Sequence, residues 1–509
     1  MFKKLLLGTT LAVAVLGLAG TSMAVNYEVN LYGASAQYLY WNDAADDFLR
    51  NAKGCTSVVQ AQDSTRRHGI TEGTSCTAGH TYKIRYSSKA SYDGILALKG
   101  DKSQAGSGDT CNDGEAVCGG GTVPAGESGF YRKMTCNQSQ PETRQCVRVN
   151  LAASDVAGEV FTQESHGNAN GEDGGAWLDR SFSGISTSGL TGRQPLIVPF
   201  GFFANNCITT TKCVSPDPTE PTASAHKAIS SWGNQCYDPD GDGKSADCIG
   251  YYKCINRQCA GGVNAGQACD QVTDCPDVVL GNTQCKRIPI DNVSKLMVTL
   301  IYSGNALAWQ DFGAWWDGDC NAETTFDPIY ACMRHAGSGT QATFDIMMRG
   351  NGSYGLAPAL TQTTGGPEIW FNDGSTQMMN CIAGKVGSTY HNKGAIGFAD
   401  CDQLAGTTAS GSANFPYEKV HAVKLDGVEC KRAQIRNGEY PFWSANWNFW
   451  VTGHANEGLF GELIAFASNP NNLPAAKRDY WATAGEMVYF KSSDTAWPVY
   501  VGAANPQLP

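Results

Sequence analysis

Arg334-His335-Ala336-Gly337-Ser338-Gly339-Thr340 gathers the residue types that hold a tetrahedral oxyanion: a guanidinium, two hydroxyls and two glycines. The apolar run from Phe326 to Met333 before it reads as a strand, and Ala342 to Met348 after it has helical spacing, so the glycines fall at a strand-to-helix turn. The first N–H groups of a helix have no intrahelical acceptor and carry the positive end of its dipole. Gly337 and Gly339 would let the main chain approach an anion, Ser338 and Thr340 add hydroxyl donors, and Arg334 adds a planar fork of N–H groups. Taken alone, the same letters describe a glycine-rich loop with an N-cap, a pattern that recurs by accident.

Three other stretches repeat the arrangement. Tyr27 to Tyr32 alternates as a strand and runs through Gly33-Ala34-Ser35-Ala36-Gln37-Tyr38 into a helix-like stretch from Leu39 to Ala52. Tyr82 to Tyr86 runs through Ser87-Ser88-Lys89-Ala90-Ser91 into a helical Asp93 to Leu98, and Val147 to Leu151 reads as a strand delivering Ala152-Ala153-Ser154-Asp155. Strands that alternate with helices and end in small polar residues describe an α/β fold built on an open sheet, which gathers ligands at the carboxyl ends of its strands.

A length of 509 residues points to more than one domain. Lys3 and Lys4 ahead of the apolar run Leu5 to Gly17, with Ser22-Met23-Ala24 behind it, predict a signal peptide over residues 1–24 with cleavage after Ala24. No cysteine follows that run to suggest a lipid anchor, and no later apolar stretch is long enough to span a bilayer. The expected location is therefore periplasmic or extracellular, and twenty cysteines in an exported chain read as disulfides. Neither CxxCH nor paired CxxC knuckles occur, which argues against haem and zinc. A formal charge of -11 disfavours nucleic acid as a partner and means that an anion must be caught by local dipoles.

The order GASAQY, SSKAS, AASD and RxxGSGT resembles that of the phosphate-binding proteins of phosphate ABC transporters. Ile301-Tyr302-Ser303-Gly304-Asn305 with Trp309-Gln310-Asp311-Phe312, then Gly394-Ala395-Ile396-Gly397-Phe398, then Leu425-Asp426-Gly427-Val428 with Asn437-Gly438-Glu439-Tyr440-Pro441-Phe442, extend the resemblance over most of the chain after residue 24. The resemblance implies a two-lobed type II periplasmic-binding-protein fold. Residues 25–199 and 394–509 would form lobe I and 200–393 lobe II, with a first crossing near Pro195 to Asn205 and a return near Gly394 to Asp400.

It also implies a site. Gln37, Tyr38, Ser91 and Asp155 would come from one lobe and Arg334, Ser338, Gly339 and Thr340 from the other. Asp155 would discriminate: a carboxylate buried beside an anion repels it unless the anion brings a proton to share, as hydrogen phosphate does and sulfate does not. The implied function is capture of inorganic phosphate, with arsenate as a mimic, in partnership with an ABC permease, with no enzymatic step and no required cofactor. The family's threonine in the first loop is Gln37 here, and the aspartate expected two positions after the arginine is Ala336, which removes a carboxylate that would orient Arg334. His335 beside it reads as a packing or surface residue.

Residues 101–146, with Cys111, Cys118, Cys136 and Cys146, and residues 207–285, with nine cysteines, depart from the family and read as disulfide-rich loop insertions. In the second, Asp238, Asp240, Asp242 and Asp247 around a glycine turn read equally as a structural calcium loop or as a solvated acidic turn, and the glutamate that closes an EF-hand is missing. The aromatic run Tyr440 to Trp450 reads as core rather than as a carbohydrate platform. These insertions keep a rival in view, an extracellular scaffold or surface-assembly protein on the same fold with an altered anion site.

Overall fold

The computed structural model describes residues 24–103, 109–161, 164–165, 180–181, 183–214, 254–255, 258–259, 284–313, 316–318, 328–335, 337–348, 368–386, 389–390, 394–404 and 420–502. The segment expected to be a signal peptide, apart from Ala24, and the acidic loop with Asp238, Asp240, Asp242 and Asp247, lie outside the described residues.

The chain begins with Asn26–Gly33 (β1), exposed at its first residue and buried over its last five, so the strand runs from surface to interior. A 3-10 turn at Ser35–Gln37 leads into Tyr38–Asp47 (α1). Ser57–Gln62 (β2), His68–Thr74 (β3) and Thr81–Ser88 (β4) follow, and then Ser91–Lys99 (α2). Tyr131–Thr135 (β5) and Arg144–Arg148 (β6) form a hairpin ahead of Leu151–Ser154 (β7) and Leu190–Arg193 (β8). Leu196–Asn205 (β9) is buried at every position.

Beyond it come Asn292–Val293 (β10), Lys295–Tyr302 (α3), Tyr330–Arg334 (β11), Gly339–Met347 (α4), Glu368–Asn372 (β12), Ser375–Ile382 (α5), Ala395–Asp400 (β13) and Val420–Leu425 (β14). The chain ends with Trp443–Ala445 (β15), Trp447–Val451 (β16), Glu457–Ala467 (α6) and Ala482–Thr483 (β17).

Two sheets organise these elements. The first runs β8–β16–β7–β1–β4–β3–β2, with β4, β1 and β7 parallel at its centre. The second runs β10–β14–β9–β13–β11–β12, with β11 parallel to β12 and β13. β9 joins the halves: its first residues pair with β15 and β17, and its last residues pair with β13 and β14. This is the two-lobed α/β arrangement, with helices rising from the carboxyl ends of parallel strands in both halves.

One expectation is corrected. Val147 to Leu151 is not one strand. Asn150 interrupts it, because its side chain accepts from the Asn30 N–H at 2.7 Å and donates to the Glu28 carbonyl at 3.0 Å, which occupies the β1 edge that a continuous strand would pair with. The strand expected as the return, Gly394 to Asp400, contains β13, which lies between β9 and β11 in the second sheet with Asp400 opposite Phe200, and β15 later pairs with Ile197 to Pro199 of β9. The β2–β3 hairpin also escaped the sequence reading, because its polar residues hide the alternation.

Among the described residues, Cys111–Cys146 and Cys118–Cys136 staple the first insertion. Cys55–Cys76, Cys332–Cys381 and Cys401–Cys430 lie outside both insertions, and Cys332–Cys381 ties β11 to α5. No described helix is long and apolar enough to cross a membrane.

A cluster of rings seats α4. Phe344 stacks on Phe398 of β13 with centroids 4.2 Å apart, and Tyr302, Phe202 and Phe442 surround it. Tyr440, Phe442, Trp443, Phe449 and Trp450 are all buried, as the core reading requires. Because Phe344 anchors the helix that carries Gly339 and Thr340, Phe344→Ala should cost about 3–5 kcal/mol of unfolding free energy. Urea denaturation measures this, and a loss below about 1 kcal/mol would show that α4 is seated by something else.

Candidate functional site

The turns at the carboxyl ends of β1, β4, β7 and β11 meet at one buried point, and the carboxylate of Asp155 occupies it. Asp155 follows β7 and is 1 % exposed. Gln37 Nε2 donates to its Oδ1 at 2.9 Å. The hydroxyls of Ser91 and Thr340 each donate to its Oδ2 at 3.4 Å, one from either half of the protein. The N–H of Asp155 donates to Ser91 Oγ at 3.1 Å, so Ser91 holds both the main chain and the side chain of the same residue. Ser91 is the first residue of α2, Tyr38 begins α1, and Gly339 begins α4. Three helix N-termini thus surround one carboxylate, which is where the helix dipole favours negative charge.

Gln37 donates to the acid through its amide, and its neighbours settle which way that amide points. Its Oε1 accepts from Trp41 Nε1 at 3.0 Å and from Asn446 Nδ2 at 3.2 Å. Indole N–H is only a donor, so Oε1 must face Trp41 and Nε2 must face Asp155. Asn446 is itself fixed by the Leu196 N–H donating to its Oδ1 at 2.9 Å, at the start of β9.

Close packing brings α2 into place. A Cβ on Gly94 would lie 2.6 Å from the Tyr32 carbonyl oxygen, so only glycine allows the helix to sit on β1 at this depth. Across the site, a Cβ on Gly339 would lie 2.4 Å from Ser91 Oγ and 2.7 Å from Asp155 Cβ. The N–H of Tyr92 in α2 donates to the Gly337 carbonyl at 3.2 Å. The two halves therefore touch directly.

Arg334 lies behind this contact, 1 % exposed. Its Nε donates to the Asn372 carbonyl at 3.2 Å and its Nη2 to the Asp373 carbonyl at 2.6 Å, which fixes the plane of the guanidinium. These carbonyls, at the end of β12, orient Arg334 where the sequence lacks a carboxylate at Ala336. Ser338 turns inward to cap α4, its Oγ accepting from the Gln341 N–H at 3.4 Å, so it shapes the turn without reaching Asp155. His335 is fully buried, so the packing alternative holds and the surface one fails; burial and the Arg334 charge push its pKa well below the ordinary value, which keeps it neutral.

Burial pushes the Asp155 carboxyl up to about 6, against the pull of Gln37, the Arg334 charge and the hydroxyls of Ser91 and Thr340. Burial also lowers Arg334 to about 10, while Asp373 and Asp155 pull it back up, so it stays charged at neutral pH. Asp373 shows the opposite balance from Asp155: burial works to raise it, but Lys89 and Arg67 outweigh burial and hold it down to about 2. Sequence reasoning passed over Asp373, Asn372, Asn446 and Arg67, none of which lies in a recognisable motif. Lys89 stood within the SSKAS turn without being assigned a role.

Among the described residues no candidate metal centre accompanies the site. Among the described residues the one cluster of potential ligands is Cys111, Glu115 and Cys146, whose sulfurs are joined in a disulfide and whose carboxylate pairs with Lys133 at 2.8 Å.

No protein-family model matches the chain, and no curated protein matches it in sequence. Solved structures resemble it in fold. A protein from Clostridium perfringens, assigned as a phosphate ABC transporter substrate-binding protein and solved with bound phosphate, overlaps at a TM-score of 0.38 and 11% identity, covering 86% of this chain and 93% of its own. An ABC-type phosphate transport receptor from Vibrio cholerae overlaps at 0.34 and 10% identity, covering 87% and 93%. PstS from Borrelia burgdorferi overlaps at 0.31 and 9% identity, covering 88% and 97%. Likeness at this distance concerns the course of the chain and says nothing of a ligand.

Gly339→Ala should push the halves apart at their tightest contact, at a cost of about 1–3 kcal/mol read from a denaturation midpoint; an unchanged midpoint would mean that the contact gives way freely. Asp155 makes a second prediction. A carboxyl whose folded pKa is raised from 3.8 to about 6 costs nothing below the lower value and progressively destabilises the fold as pH rises through that window. The full cost is on the order of 3 kcal/mol. Asp155→Asn should therefore gain stability relative to wild type between pH 4 and pH 6.5, and a stability difference that stays constant over that range would remove the buried-charge account.

Proposed function

We propose that this chain is an exported solute-binding protein that closes its two lobes around inorganic phosphate, with arsenate as a mimic, and hands it to an ABC permease. One observation carries the reading: a buried acid, two hydroxyls and a fixed amide, drawn from distant stretches of both halves, meet among three helix N-termini, with a buried guanidinium whose charge acts on the acid. In the closed form Asp155 engages the donors itself. Binding would part the Gly339–Thr340 turn from Ser91 and Asp155, and the anion would take over Ser91, Thr340 and the helix N–H groups. Ionised above about pH 6, Asp155 would then accept the proton that hydrogen phosphate carries and sulfate lacks. The chemistry is capture, with no bond broken. Disulfides throughout the described chain fit an oxidising compartment outside the cytoplasm.

On this reading lobe I comprises residues 25–199 with the chain from about 441 onward, and lobe II the residues between, which moves the return boundary from 394. The direct contact of Gly339 with Ser91 and Asp155 favours one alternative, a scaffold protein on this fold whose anion site has become an internal seal.

Isothermal titration of the mature protein with phosphate, arsenate and sulfate separates the two. Phosphate and arsenate should bind and sulfate should not, and Arg334→Ala or Asp155→Ala should weaken phosphate binding at least about 100-fold, the loss expected when a buried charged partner is removed. Silence toward all three anions, with assemblies on a sizing column, would replace capture by the scaffold.

A further inference from the structure

Beside the Asp155 contact lies a second meeting of the two halves, centred on Asp373. This residue follows β12 in the second sheet and is buried. Its Oδ2 accepts from Lys89 Nζ at 2.7 Å and from Arg67 Nη2 at 3.3 Å, and its Oδ1 lies 3.9 Å from His335 Nε2. Lys89 follows β4 and Arg67 lies in the β2–β3 turn, both in the first sheet, and they form one unit because the Ser88 N–H donates to the Arg67 carbonyl at 2.9 Å. The main-chain carbonyl of Asp373 is the atom that receives Arg334 Nη2. One residue therefore faces two ways: its carboxylate reaches across to the opposite half, and its backbone sets the guanidinium on its own side.

We propose that Asp373 is a latch and a positioning residue, coupling closure of the two halves to the aim of Arg334. When Lys89 and Arg67 grip the carboxylate, the loop after β12 is pinned, and the Asn372 and Asp373 carbonyls hold the guanidinium in one plane behind Asp155. When the halves part, the carboxylate leaves those cations and the loop loses its pin. The side chains of Lys89, Arg67 and Asp373 are only 12 %, 14 % and 7 % exposed, so the pairs escape most of the screening that makes surface ion pairs weak. Two bonds on one carboxylate also supply a contact that exists only in the closed form, which is what a two-state element requires.

The inference rests on the reading that this cleft opens and closes around an oxyanion, and the test keeps the two apart. In the ligand-free protein, Asp373→Asn and, separately, Lys89→Gln should increase the radius of gyration measured by small-angle X-ray scattering. In stopped-flow phosphate binding, each variant should raise the dissociation rate about tenfold while association changes less than about twofold, since closed-state contacts act on release. The double variant should be no worse than Asp373→Asn alone, because both substitutions break one contact.

Circular dichroism with thermal melting checks that the variants fold, and Asp373→Glu should restore part of the slow release. Strictly additive effects, or an unchanged radius in both single variants, would overturn the latch. If wild type binds no phosphate, the capture reading fails while the scattering comparison still decides the latch.

Discussion

A negative charge buried where two halves of a protein meet constrains everything around it. The Asp155 carboxylate lies out of water, and a bare carboxylate there would be too costly to keep. The fold answers with donors from both sides: the Gln37 amide and the Ser91 hydroxyl from the first sheet and the Thr340 hydroxyl from the second. Helix N-termini supply further positive potential at no cost in mobile charge. The result is a partial answer, since the carboxyl still titrates near 6. A group left part-way between charged and neutral is suited to sharing a proton with a bound anion.

The same constraint explains the packing. Donors reach Asp155 only if α2 and α4 come close, so glycine stands at Gly94 and Gly339 where a Cβ would collide with backbone or with the acid itself. α4 is held by Phe344 in a cluster of rings, and β9 threads both halves so that their strand ends face one another. Asp373, held down by two cations, is the counterpart to Asp155. One acid is stabilised as a charge by ion pairs across the interface, and the other is kept reluctant by burial that its hydrogen bonds and the Arg334 charge only partly offset.

Much of this was legible in the residues. The turns at Gln37, Ser91, Asp155 and Gly339–Thr340 each sit after a run with strand character, and small residues at such ends mark where an α/β sheet gathers its ligands. β9 was expected as a first crossing near Pro195 to Asn205 from the family resemblance, and the aromatic segment near residue 440 was legible as core. What was not legible depends on partners far along the chain. Asn150 ends a strand through bonds to β1, 120 residues away, and β13 takes its place between β9 and β11 through pairing with strands far along the chain.

The sequence by itself determined the kinds of group available and the turns that present them: a guanidinium, hydroxyls and an acid, each at the mouth of a strand. Only the tertiary structure decided their roles. It made Ser338 a helix cap, gave Gln37 a fixed donor direction through Trp41 and Asn446, brought Asp373 to Arg334 where Ala336 offers nothing, and closed the halves onto each other. The physical reason is that spacing along a chain sets which way a local turn faces, whereas hydrogen bonds and charge pairs depend on distances through space. Those distances are settled by how the two sheets pack.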